Sequence, residues 1–253
     1  MYLRFLFTDF LIAHNQGHHK WVATPLDPAS ARKGETVYSF AVRSQYGQFW
    51  QSWNIERDRI LGKEPKIDQV SLFLRNRVLW CKFAELVATL SIYYIWGFRV
   101  TIYFLVYAIF LRFGLEVINY VEHYGLRRKE IAPGVYEKVN IRHSWNAAHK
   151  VANVMIFKLQ RHSDHHENGY KPYQSLCSYE ESPQLPHGYG ISFLVALQPK
   201  RWFEMMDPLV QAYQEENRVL TPEEIEKCEK VSRQVIYKEV MKVSAYCVLG
   251  LFL

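Results

Sequence analysis

The sequence predicts an all-α, membrane-inserted fold with about two membrane helices and histidine-rich segments before and after them. Three observations support this. Residues 78–120 are nearly all apolar or aromatic, which is room for two helices of about 20 residues each. Histidines gather at helical spacings on both sides of that stretch, in His14-Asn15-Gln16-Gly17-His18-His19 and in His162-Ser163-Asp164-His165-His166. Thr221-Pro222-Glu223-Glu224 joins an N-cap threonine, a proline at the first helical position and a capping-box glutamate, so a further helix starts there.

Charge and cysteine usage narrow the class. The 31 basic and 25 acidic residues leave a net charge of +6, but the basic residues are scattered, so no nucleic-acid surface is indicated and a membrane-facing rim is their use. Cys81, Cys177, Cys228 and Cys247 form no C-x-x-C pair, which argues against a zinc knuckle, a rubredoxin-type iron site or a thioredoxin-like centre. Any electron donor is therefore another molecule. Cys81 and Cys247, in apolar surroundings, read as buried small hydrophobes.

Taken in order, Met1–Ala13 is too short to cross a bilayer and contains Arg4 and Asp9. It lacks the apolar core and cleavage site of a secretory signal and reads as the last turns of a helix delivering His14 and His18 to one side. Pro25 and Pro28 then forbid a helix, and Asp27 suits a turn. Tyr38–Arg59 reads as an amphipathic helix. Its Tyr46, Phe49, Trp50 and Trp53 fit a membrane surface, with Arg43, Arg57 and Arg59 reaching head groups, and an ordinary core helix fits equally well. Within Val78–Tyr120, Gly97-Phe98 is the natural turn of a hairpin that enters and leaves one face of a bilayer of about 30 Å. Lys82, Glu85, Arg99, Arg112 and Glu116 must then snorkel, pair or face other helices.

The second arm runs into Asn119-Tyr120-Val121-Glu122-His123-Tyr124-Gly125-Leu126. Ionisable groups at the end of a membrane helix are costly unless they bind something, which makes His123 a ligand candidate. Residues 127–140 form a polar loop with a type II turn at Ala132-Pro133-Gly134. His143 and His149, six apart, do not share a helical face and read as partners behind the ligands. His162, His165 and His166 stand at i, i+3 and i+4, which stacks three imidazoles on one helix face. The Pro- and Gly-rich segment up to Gly190 is a loop packed across the site or its entrance, His187 is structural, and a short apolar helix covers Ile191–Leu197. The last eleven residues, Val243–Leu253, cannot span a bilayer but can pack on a partner helix or dip into lipid.

Histidine-only sets do not suit magnesium or calcium, and one structural zinc needs only four donors. Seven histidines from three segments fit two first-row metals. A nitrogen-rich open site favours iron or copper chemistry with dioxygen, and its place at a membrane points to an apolar substrate arriving through lipid; zinc hydrolysis is the alternative.

The residues also resemble a family. Gly17-His18-His19 continuing to Ala23-Thr24-Pro25-Leu26-Asp27-Pro28-Ala29-Ser30-Ala31, then Asn119–Leu126, Arg142-His143-Ser144-Trp145-Asn146, Leu159–His166, Pro183-Gln184-Leu185-Pro186-His187-Gly188-Tyr189 and Met206-Asp207-Pro208 closely resemble the membrane-bound alkane hydroxylases. These are the alkane monooxygenase and xylene monooxygenase branch of the integral-membrane diiron proteins. An isolated H-x-x-H-H is shared with desaturases and fatty-acid hydroxylases; the full set in this order is specific to the branch.

The resemblance implies a six-helix membrane bundle whose histidine cap holds two irons that activate dioxygen and oxidise a terminal C–H bond of an alkyl substrate. Electrons come in that family from a rubredoxin- or ferredoxin-like protein. Carried over position by position, His14, His18, His19, His123, His162, His165 and His166 match iron ligands, with Glu122, Asp164, His143, His149 and Asn146 around them. Residues 1–213 are then the hydroxylase-like membrane domain and 214–253 a helical extension available to a partner. Two features depart from the pattern: the family's first histidine box, an H-E-x-x-H-K-like sequence, is not found, and Ala13 stands where a glutamate usually precedes the second box. The expectation is a split or multi-chain enzyme in a bacterial inner membrane or an organelle membrane, with a second polypeptide supplying the front helices and two histidines. The alternatives are a fragment of a longer chain, a non-catalytic structural subunit, or a fatty-acid hydroxylase- or desaturase-like enzyme.

Overall fold

The structure, a computed structural model, describes residues 2–147, 149, 153, 154, 156–216, 218 and 221–250. The chain forms two compact units, Met1–Ala29 with Ala41–Glu116 and Ser30–Phe40 with Val117–Leu253. Helices dominate: α1 (Val37–Leu61), α2 (Gln69–Arg75), α3 (Arg77–His123), α4 (His162–Glu167), α5 (Tyr189–Ala196), α6 (Pro199–Val210) and α7 (Pro222–Gly250).

In the first unit the N-terminal segment is less regular than a single helix end. A 3-10 turn over Tyr2–Phe5 is broken by Leu6 at φ 51°, and the helical run that follows begins at Phe10. Met1 lies outside the described residues. This segment fixes the course of α3. Asp9 Oδ1 accepts from Lys82 Nζ at 2.5 Å, and Glu85 Oε1 accepts from the Thr8 amide and hydroxyl at 2.7 Å. Arg112 Nη1 donates to the Leu6 carbonyl at 3.3 Å, and its guanidinium lies 4.7 Å over the Phe7 ring.

Residues 6–9 reach at most about 11 Å when extended. On one straight helix, positions 82 and 112 would stand about 45 Å apart. The helix must therefore fold back, and it does so at Gly97, whose φ of 79° and ψ of 179° are closed to other residues without strain. Of the charges expected to snorkel, pair or face other helices, Lys82, Glu85 and Arg112 are engaged as above, Glu116 accepts from Gln48 Nε2 at 2.9 Å, and Arg99 is exposed. Around the turn, Leu90, Tyr93, Tyr94, Trp96, Phe98, Tyr103 and Phe110 are exposed, Tyr94 to 91%. Among the described residues α3 is the one helix long and apolar enough to cross a membrane, by length and composition.

Helix α1 is tied to the start of α3 by Glu56, fully buried, which receives Arg77 through Nη2 at 2.5 Å and Nε at 2.7 Å and Arg59 Nη2 at 2.9 Å. Burial works against its ionisation, yet the two guanidiniums outweigh burial and hold its carboxyl at about 2. Arg59 is thus engaged within the fold, as is Arg43, which donates to the Pro28 carbonyl, instead of both reaching head groups. Cys81, expected to be buried, is only half-buried; the Cys247 side chain and residues 251–253, with the contacts expected of Val243–Leu253, lie outside the described residues.

The second unit is built around aromatic residues at the end of α3. Tyr120, Tyr124 and Trp202 are fully buried with Phe40, Met205 and Met206. The Tyr120 hydroxyl donates to the Glu35 carbonyl at 2.6 Å; that of Tyr124 donates to Asp207 Oδ1 at 2.7 Å and accepts from the Gly34 amide at 2.8 Å. Gly125, at φ 74°, ends the helix where a Cβ would stand 2.7 Å from a Val210 methyl. The loop after it holds a departure from an all-helical reading, the two-stranded hairpin of β1 (Glu130–Ala132) and β2 (Val135–Tyr136). Its turn places Pro133 before Gly134 at φ 72°, as a type II turn requires. Helix α7 starts at the expected capping box, Thr221 Oγ1 accepting from the Glu224 amide at 3.3 Å and Glu224 Oε2 from the Thr221 amide at 2.8 Å. It packs on α6 through Cys228, whose thiol donates to the Met205 carbonyl.

Gly97→Ala introduces strain at a position where a Cβ meets nothing within 4 Å. It should destabilise the protein by about 1–3 kcal/mol through the backbone alone, read as a lowered thermal midpoint in detergent. Glu56→Gln should cost on the order of 1–3 kcal/mol by the same measurement, because it leaves two arginines facing a neutral group.

Candidate metal centre

Two histidine groups form, one in each unit. In the first, Phe10–Ile12 is α-helical, Ala13–His18 is a π-helix and His19–Trp21 is α-helical again. The His19 amide reaches the His14 carbonyl, an i to i+5 bond, and the wider π turn brings positions five apart onto one side. His14 Nε2 and His19 Nε2 consequently lie 3.2 Å apart, while His14 and His18 stack with ring centroids 5.3 Å apart. The expected pairing of His14 with His18 is thus supplemented by His14 with His19. Gly17 lets the π turn approach α1, since a Cβ there would stand 2.3 Å from Gln51 Oε1. His18 Nδ1 lies 2.8 Å from Asp27 Oδ2.

The second group gathers on His162, the first residue of α4. Its Nε2 is 3.2 Å from His123 Nε2, 2.9 Å from His166 Nε2 and 3.3 Å from Glu122 Oε2. His123, His162, His166 and Glu122 are all buried, and Glu122 Oε1 is buried without a hydrogen-bond partner. His165, one helical turn from His162, is half-buried with its ring centroid 5.4 Å from that of His162.

Trp145, Asn146 and Asp164 hold this group through hydrogen bonds. Trp145 covers the end of α3: its amide donates to the Glu122 carbonyl at 2.8 Å and its indole to the Tyr124 carbonyl at 2.9 Å, filling acceptors a helix end leaves open. Asn146 Oδ1 accepts from the Ser163 amide at 2.9 Å, at the start of α4, and its amide group donates to Ser182 Oγ at 2.7 Å. Its backbone bridges to the 183–185 loop, so the Pro-rich segment does pack beside the histidine group. Asp164, fully buried, accepts from Asn168, Lys171 Nζ at 2.7 Å, the Cys177 amide at 2.7 Å and the Tyr179 hydroxyl. Burial alone would raise its pKa, but these donors, Lys171 first, hold it below the usual carboxylate range.

His143 and His149 take other places. His143 is buried with Nδ1 accepting from the Asn140 amide at 3.0 Å and Nε2 3.4 Å from Glu137 Oε1; His149 is exposed, and its carbonyl accepts from Gln160. His187 is half-buried, at the foot of α5. Trp145 and Asp27 are the residues sequence reading passed over as site residues. Both stood in the motifs that carry the resemblance, and Asp27 also as a turn residue, but neither was given a role.

The second group fits a first-row metal. Imidazole nitrogens bound about 2.0–2.1 Å from one ion, at angles between square and tetrahedral, stand about 2.8–3.4 Å apart; the separations of 2.9 and 3.2 Å fall in that range. The donor set is nitrogen-rich with one carboxylate at its edge, the kind that suits iron, copper or zinc over magnesium or calcium. His123, His162 and His166, whose ligand atoms all lie within 4.8 Å of one another, can hold a metal ion.

Residues 1–193 match the sequence model of the fatty acid desaturase family. The chain belongs to that family. Within it, this desaturase-family chain is homologous to alkane monooxygenases. It is 36% identical over 209 residues to alkane 1-monooxygenase 2 of Alcanivorax borkumensis, covering 83% of this chain and 54% of that protein. It is 40% identical over 213 residues to the alkane 1-monooxygenase of Acinetobacter baylyi, covering 83% and 51%. The xylene/toluene monooxygenase hydroxylase component of Pseudomonas putida is 28% identical over 197 residues, covering 77% and 50%. The chain spans about half the length of the relatives it matches.

Burial pushes the His143 pKa down from 6.5 to about 4, against the upward pull of Glu137. A histidine lowered in this way contributes stability that is complete above the unfolded pKa of 6.5 and is lost as pH falls towards 4. His143→Gln should therefore flatten the dependence of the unfolding midpoint on pH across that interval, measured in detergent against the parent.

Proposed function

We propose that this chain is the ligand-bearing part of a membrane diiron monooxygenase that hydroxylates an alkane or an alkyl chain with dioxygen. The observation that carries the reading is the convergence of His123, His166 and Glu122 on His162 Nε2, in a chain homologous to alkane monooxygenases. His14, His18, His19, His123, His162, His165 and His166 would hold two irons, which supply dioxygen activation and oxidation of a C–H bond when bound. Glu122 sets the edge of the His162 imidazole, Asp164 anchors the loop of residues 168–179 to α4, and Asn146 fixes the first turn of that helix.

The arms of α3, residues 77–96 and 98–123, would cross the bilayer as a hairpin. At 1.5 Å per residue they are about 30 and about 39 Å long, against a hydrocarbon core of about 30 Å. The exposed aromatic and aliphatic side chains around Gly97 support this, because a folded protein in water rarely leaves so continuous an apolar belt uncovered. An apolar substrate would reach the histidines through lipid. The remaining ligands of the family's first histidine box would come from outside residues 1–253, a second polypeptide being one source. A rubredoxin- or ferredoxin-like protein would deliver electrons. Residues 1–213 would form the hydroxylase domain, and 214–253 would hold a partner.

The test is iron content and turnover of the assembly isolated with whatever chain accompanies it. About two irons per copy and hydroxylation of a medium-chain alkane are expected. His162→Ala should lower iron occupancy and reduce the rate by at least about 100-fold. Full iron content and an unchanged rate in that variant would refute the assignment.

A further inference from the structure

We propose that Asp27 is a positioning residue for His18, fixing that imidazole as its Nδ1–H tautomer so that Nε2 carries the lone pair offered to metal. The inference rests on the metal-centre reading above and deepens it.

Both side chains are out of water, His18 at 3% and Asp27 at 0% exposure, with Asp27 Oδ2 2.8 Å from His18 Nδ1. A carboxylate only accepts, so the proton between them belongs to Nδ1. A neutral imidazole protonated there has its lone pair on Nε2, across the ring. Ligand histidines are commonly set in this way by an acid on the far nitrogen, which orients the ring and raises its basicity.

The acid is itself held in place. Asp27 Oδ1 accepts from the Ala29 amide at 3.1 Å, and the Asp27 amide donates to the Thr24 carbonyl at 3.1 Å. The Thr24 hydroxyl donates to the Trp21 carbonyl at 2.7 Å, joining the turn to the end of the histidine helix. On the other side Arg43 Nη1 donates to the Pro28 carbonyl at 3.1 Å. Gly47 completes the cradle, since a Cβ there would stand 2.4 Å from Pro28 Cβ. A larger residue would push Pro28, and Asp27 with it, away from α1. Asp27, Pro28 and Gly47 thus set where the carboxylate stands relative to His18.

The experiment uses the assembly isolated with whatever chain accompanies this one, and compares the parent with Asp27→Leu, Asp27→Asn and Gly47→Ala. The first readout needs no metal: nitrogen-15 NMR of histidine-labelled, metal-free protein in mildly alkaline buffer, with the His18 signals assigned by their loss in His18→Gln. The parent should show His18 protonated on Nδ1. Asp27→Leu should shift it towards the Nε2–H form, and Asp27→Asn, whose amide oxygen can still accept, should shift it less.

The second readout is the affinity for ferrous iron. It should fall by about 10–100-fold in Asp27→Leu and by less in Asp27→Asn and Gly47→Ala. Gly47→Ala raises helix propensity in α1, so any loss there does not come from weakening that helix. A parent protein with His18 protonated on Nε2, or variants with tautomer and iron affinity unchanged, would overturn the proposal. The Nδ1–H form in a parent that binds no iron would support the role of Asp27 and overturn the metal-centre reading instead.

Discussion

The second unit depends on one constraint: an apolar helix delivers a carboxylate and an imidazole, Glu122 and His123, to its last turn, and both are buried there. Buried ionisable groups are tolerated only where partners meet them. His162 and His166 meet them from α4, and the rest of the unit keeps that encounter in place. Trp145 closes the carbonyls at the end of α3, Asn146 holds the first turn of α4, and Gly125 lets the chain turn against Val210. Tyr120 and Tyr124, in and beside this last turn, pack their rings against each other and against Trp202.

In the first unit the same problem is solved at a different scale. Lys82, Glu85, Arg99, Arg112 and Glu116 interrupt an otherwise apolar hairpin; Arg99 is exposed, and each of the other four finds a partner on the N-terminal segment or on α1. These ties register the N-terminal segment against both arms of α3, and the π turn bearing His14, His18 and His19 begins four residues after Asp9. Polar contacts inside the hairpin thereby act on the placement of imidazoles that they never touch. Close packing of glycines does the rest, at Gly17 against Gln51 and at Gly47 against Pro28.

Much of this was legible because it follows from local periodicity. The spacing of His162, His165 and His166 needs only one and a half turns of helix to align, and α4 supplies them. The capping box at Thr221 and the turn at Gly134 are matters of a few neighbouring residues. The break of α3 at Gly97 was readable because glycine is the residue that tolerates its dihedrals. The π-helical register at Ala13–His18 was not readable, because an extra residue in a turn leaves no mark in composition. The small β-hairpin at Glu130–Tyr136 was likewise hidden inside a polar loop.

The sequence by itself determined which residues could ligate, the helical class, the turn in the apolar stretch and the family, because donor chemistry and short-range spacing are written in residue type and order. Only the tertiary structure decided which donors meet. That His162 faces His123 from 39 positions away, that Asp27 belongs to His18, that Asp164 serves a loop and that His143 turns to Glu137 are all consequences of packing. A hydrogen bond of 2.8 Å depends on where two segments come to rest, and the chain between them does not encode that distance locally.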